Sequence, residues 1–186
     1  MIAVALDETV DDVLPWVEGV TLPVLIDREH VLSELYAISN VPAVVWIDED
    51  DRIALPNSVA FATDMFKEFT GAAAGPHLDA LRAWVRDGTL SITDDDARAA
   101  VADLSDDEVR ARLHFRIAVA ARRDGDTPTA LRHFERAGEL APMDFTIRRA
   151  AMPLIGQDPF GTDFMDLYQQ WEAAGSPFHG LAPMAD

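Results

Sequence analysis

No cysteine occurs anywhere in the 186 residues, which excludes disulfides, thiolate metal sites and any reaction that needs a thiolate nucleophile. Lysine is almost as scarce, with Lys67 alone beside fourteen arginines. No apolar run approaches the roughly 20 residues that cross a bilayer. Met1 is followed by Ile-Ala-Val-Ala-Leu-Asp, without the basic start of a targeting segment. As written, the chain is expected to be soluble and cytoplasmic. Positive charge is short overall: 33 acids face 15 lysines and arginines, for a formal net charge of −18. Nucleic acid and anionic membrane are therefore disfavoured as partners, because both affinities rest on clustered Lys and Arg.

An apolar share of 49% is ordinary for a globular protein, and the length leaves room for one domain with a small second one. The charge is unevenly distributed. Residues 1–97 carry 19 acids against 5 bases, residues 98–149 carry 9 against 10, and the remainder has 5 acids and no base. Two regions of different character are expected.

The most informative stretch is LPVLIDREHVLSELYAISNVPAVVWIDEDDRI, Leu22 to Ile53, which reads strand, helix, Val-Pro turn, strand, acidic turn, strand. Its centre, Ala43 to Ile47, is a mostly β-branched apolar run without polar alternation, as in a strand covered on both faces. Ile2 to Leu6 reads as a further buried strand, and Thr9 with Asp12 as the N-terminal signal of a helix running to about Glu18, bent at Pro15. Asp27 reads as the cap of a helix carrying Val31, Leu32, Leu35 and Tyr36 on one face.

Pro-Val-Leu-Ile-Asp, a helix ending in Tyr36, Val41-Pro42, the strand ending Ile47-Asp48, and then Asp51-Arg52-Ile53 together resemble the second half of a thioredoxin-fold domain. The subgroup is that of the TlpA-like thiol:disulfide oxidoreductases and their peroxiredoxin relatives. The resemblance spans about residues 1–56, with a further claim on the helix at His77 to Arg86. It implies a cis peptide at Val41-Pro42 beside a Cys-x-x-Cys pair, and the sequence has no cysteine for that pair. In the family a strand and a cysteine-bearing helix precede the segment matching Ile2 to Asp7. Without them the two flanking strands either close up or present unpaired edges.

Pro56 to Pro76 is too long for a plain turn, and its Phe61, Met65, Phe66 and Phe69 predict a segment that packs down, with a short helix at Asp64 to Phe69. An amphipathic helix follows, closed by Gly88, and residues 89–93 read as a linker. Ser105 with Glu108 forms a capping box before a helix to Arg123, and Asp124 to Thr127 turns into a second helix started by Pro128. The order Gly125, Ala130, Phe134, Ala137, Pro142 resembles one tetratricopeptide repeat. Further helices are expected over Phe145 to Leu154 and from Thr162 or Asp163 through Trp171, with Leu181 to Asp186 frayed. The expected fold is α/β, a partial thioredoxin-like mixed sheet with flanking helices over residues 1–88, plus an all-α, tetratricopeptide-like helical hairpin region over residues 94–186.

Several clusters invite chemistry. Asp48-Glu-Asp-Asp51 has the acids of a calcium loop but lacks its glycine and closing glutamate, so it reads as an acidic hairpin turn. The histidines His30, His77, His114, His133 and His179 have no metal-ligand spacing, although His114 and His133 fall where two helices could bring them together. No metal, cofactor or catalytic residue is expected. Arg110, Arg112, Arg116, Arg122, Arg123, Arg132 and Arg136 give the helical hairpin a basic side, which reads either as self-neutralised or as a groove for carboxylates of a partner or of the acidic first region.

The reading for function is a cysteine-free protein-binding or adaptor module. Asn40, Val41, Pro42 and Ala43 are its candidate peptide-binding loop, because relatives pair an extended segment beside that proline. Val44, Trp46, Phe61, Met65, Phe66 and Phe69 are the candidate subunit contact, with a protein partner or a second copy covering them. The alternatives are the downstream part of a longer thiol-disulfide oxidoreductase, and a structural subunit of a larger assembly.

Overall fold

A computed structural model describes the protein except residues 61, 71, 91, 101, 102, 183, 185 and 186. The elements run in the order β1 (Ala3–Ala5), α1 (Val10–Val13), β2 (Val24–Ile26), α2 (Val31–Leu35), β3 (Ala43–Ile47), β4 (Ile53–Val59), α3 (Lys67–Thr70), α4 (Ala74–Asp87), α5 (Asp94–Ala100), α6 (Asp106–Arg123), α7 (Thr127–Leu140), α8 (Phe145–Leu154) and α9 (Thr162–Ala173). This is an α/β protein of mixed helices and small sheets. β1 and β2 pair in parallel, β3 and β4 pair antiparallel, and the two pairs form separate two-stranded sheets.

The fold divides into two compact units, each assembled from separated stretches. The first comprises Met1–Leu35, Leu104–Pro142 and Thr146–Asp166. Its strands are joined through α1, where Thr9 and Asp12 cap reciprocally, and Pro15 turns the continuation into a 3-10 turn at Leu14–Trp16. Asp27 caps α2 by accepting from the amides of Val31, Leu32 and Ser33 at 2.8, 2.8 and 3.1 Å. The expected apolar face of that helix is corrected. Val31 and Leu35 are exposed and Ser33 is buried, because the Ser33 hydroxyl donates to the His30 carbonyl and so satisfies itself inside.

The core of this unit lies between α6 and α7, with Phe115, Ala118, Val119, Ala130, Phe134, Ala137, Ile147 and Ala151 packed together. Ala118 and Ala137 are wholly inaccessible. Small side groups at these positions let the helix axes approach, and Phe115 meets Phe134 edge-on at 5.7 Å between ring centres. The turn falls at residues 124–126, where Gly125 takes φ +82. The cap of α7 is Asp126, accepting from the Thr129 amide, one residue before the expected Thr127.

The second unit comprises Tyr36–Asp103, Met143–Phe145 and Leu167–Asp186. Trp46 of β3 is buried beneath α4, stacked on Trp84 at 5.2 Å and beside His77 at 5.5 Å. Phe145, Tyr168 and Trp171 form an aromatic cluster. The segment after α9, expected to be frayed, docks at Leu181: its amide donates to the Asn57 carbonyl at 2.7 Å, and it bridges Ser58 in parallel.

Candidate functional site

β3 is hydrogen-bonded to β4 along one side, in the register Ala43 with Val59, Val44 with Ser58, Trp46 with Leu55 and Ile47 with Ile53. Among the described residues, no strand pairs with its other side. A strand carries donors and acceptors on both edges, so the main-chain groups of that side have no strand partner among the described residues. The loop leading into it is held firmly at its base. Asn57, itself buried, donates its side-chain amide to the Ala37 carbonyl at 3.1 Å and the His179 carbonyl at 2.8 Å. The Ser39 carbonyl accepts from the Phe145 amide at 2.9 Å, and its hydroxyl accepts from the His179 amide at 3.4 Å.

Beyond that base the candidate loop reaches solvent. Asn40 is half-buried, Val41 and Pro42 are exposed, and Ala43 is half-buried at the start of β3. The Val41-Pro42 peptide is cis, the isomer that the resemblance implies. The arrangement can bind an extended backbone by strand addition, with an exposed apolar step at the entrance.

The expected contact surface is divided. Trp46 is only 5% accessible and belongs to its own unit's interior, so the expectation that a second copy covers it is corrected. The reason is α4, which covers the β3 face through Trp84 and His77. Val44 is half-buried. Met65 is exposed at 77%. Phe61 lies outside the described residues. Phe66 ends the 3-10 turn at Asp64–Phe66 and Phe69 belongs to α3, with the side groups of both outside the description. Large apolar groups are exposed elsewhere too, among them Trp16 at 84% and Phe160 at 77%.

The other clusters are structural. The Asp48 carboxylate accepts from the Asp50 and Arg52 amides, both at 2.9 Å, and fixes the β3–β4 turn in which Asp51 takes φ +60. Three arginines of α6 are neutralised by acids of the first 35 residues: Arg116 meets Glu34 at 2.5 Å, Arg122 meets Glu8 at 3.0 Å, and Arg123 meets Glu8 and Glu29 at 3.2 and 2.9 Å. His114 and His133 do meet across the hairpin, Nδ1 to Nδ1 at 2.8 Å. Such a pair needs one ring to donate and the other to accept. Burial, reinforced by His133 and Arg136, holds the His114 imidazole below the usual histidine range.

Asn57 is not singled out by the sequence pattern. The only signal for Asn57 is a polar residue after Pro56 at the end of an apolar strand, and its partners lie 20 and 122 positions away. Comparison with protein-family models, curated proteins and solved structures finds no match to this protein.

Proposed function

We propose that this protein is a thioredoxin-like protein-binding module, with a tetratricopeptide-like hairpin appended, that accepts an extended segment of another protein along the free side of β3. The observation that carries this reading is the side of β3 that no strand pairs among the described residues, leading directly from the exposed Val41 and Pro42. A parallel support is the anchoring of that loop through Asn57 and Ser39, because a preorganised edge spares part of the ordering cost of binding. There is no cysteine, so binding through this edge would not proceed to a mixed disulfide.

Strand addition has a distinctive test. A peptide selected against the whole protein from a random library is synthesised in two forms, N-methylated at alternate residues in opposite phases. Only one phase removes the donors that face β3. The reading expects that form to lose binding while the other retains it. Equal binding of both forms would overturn it.

A further inference from the structure

Between α7 and α8, within the first unit, a cleft of about 600 Å³ opens to solvent, a size in the range of roughly 300–1,000 Å³ usual for small-ligand sites. Its walls include Leu131, Phe134, Ile147, Met152 and Ile155, and Arg148 enters it from α8. Arg148 is half-buried. Its guanidinium donates to the Pro142 carbonyl at 3.2 Å and makes no ion pair among the described residues, unlike Arg116, Arg122 and Arg123 of α6. One carbonyl leaves most of the five N–H donors of a guanidinium without a partner among the described residues.

The placement of Arg148 depends on a glycine. A Cβ at Gly138 of α7 would lie 2.9 Å from the Arg148 Cδ and 3.3 Å from its Nε. The missing Cβ therefore lets the arginine stem lie across α7 and bring its charged end beside the apolar walls. Burial without a carboxylate pushes the guanidinium below its usual range, although an arginine remains charged at any physiological pH. A half-buried cation with unused donors favours an anion that brings its own acceptors. Glu135 and Glu139 also line the cleft, and Glu139 is engaged by Arg136 at 2.7 Å. Their charge repels polyanions, and a single carboxylate fits the guanidinium fork.

We infer that the α7–α8 cleft binds an apolar monocarboxylate, with Arg148 holding the carboxylate and the walls from Leu131 to Ile155 taking the apolar body. A free organic acid and the apolar C-terminus of a peptide offer the same chemistry. Calorimetric titration of the whole protein with octanoate, octan-1-ol, and the tripeptide acetyl-Ala-Leu-Leu as free acid and as amide separates these sources. A preference of about tenfold or more for octanoate over octan-1-ol, or for the free-acid peptide over its amide, is expected from charge-assisted hydrogen bonds. Whichever acid shows the preference names the source. Arg148→Gln should abolish the preference while leaving octan-1-ol binding unchanged, and Gly138→Ala, by displacing the arginine stem, should weaken acid binding in the same sense. Absence of acid preference in the wild-type protein overturns the inference whether or not the variants fold, as does an Arg148→Gln variant that keeps the preference.

Discussion

Gly180 leaves no room for a Cβ against Asn57: one built there would collide with the Asn57 carbonyl group. The same carbonyl accepts the Leu181 amide, and the Asn57 side-chain amide reaches back to the His179 carbonyl, so the segment after α9 is fastened to β4 by main-chain contact. Gly180 also takes φ +115, a conformation costly for any other L residue. Gly180→Ala should lower stability by about 1–3 kcal/mol and loosen residues 179–181, measured by chemical unfolding and amide exchange. Gly19→Ala, at φ +77 with nothing near its Cβ position, should cost less.

Trp46 carries the interior of the second unit through its stack on Trp84. Trp46→Ala should cost about 3–5 kcal/mol and diminish the near-ultraviolet circular dichroism. Were Trp46 instead a contact between two copies, the substitution would change the solution mass and leave the stability of the monomer intact.

Arg116 and Glu34 are each mostly shielded, at 21% and 26% side-chain exposure. A double-mutant cycle on the two should give a coupling near the upper end of the roughly 0.2–1 kcal/mol usual for solvent-exposed pairs. The same cycle on Arg82 and Asp79, exposed at 55% and 77%, should give a value near the lower end.

Burial against Phe115, at 4.6 Å between ring centres, pushes the His30 imidazole below the usual histidine range. The unfolded state therefore binds a proton there first as pH falls. His30 contributes stability that is fully present above about 6.5, the unfolded value, and is lost as pH falls from there toward the lower folded value. Urea unfolding of wild type and His30→Gln across pH 8 to 5 should converge toward the acid end. Parallel profiles would contradict the assignment.

Local chemistry makes much of this architecture legible in the sequence. The caps at Thr9, Asp27 and Ser105 and the turn at Gly125 sit where short-range hydrogen bonding and backbone freedom dictate. Periodicity fails on α2, because five residues do not define a face and a self-satisfied serine outcompetes Val31 and Leu35 for the interior. Long-range partners are invisible to any local pattern: the role of Asn57 depends on Ala37 and His179, and that of Gly138 on Arg148. Among the candidate loop residues, Val41 and Pro42 stand out in the sequence as an X-Pro step before an apolar strand, whereas the residues that anchor them are defined only by the fold.

The central claim, that β3 receives an extended segment on its free side, is tested most directly by residue-resolved amide exchange of the whole protein with and without its selected peptide. Strand addition predicts that some amides of Ala43–Ile47 become strongly protected on binding, with alternate residues responding, because only those pointing to the free edge gain acceptors. Protection confined to other elements, with β3 unchanged, would contradict the account.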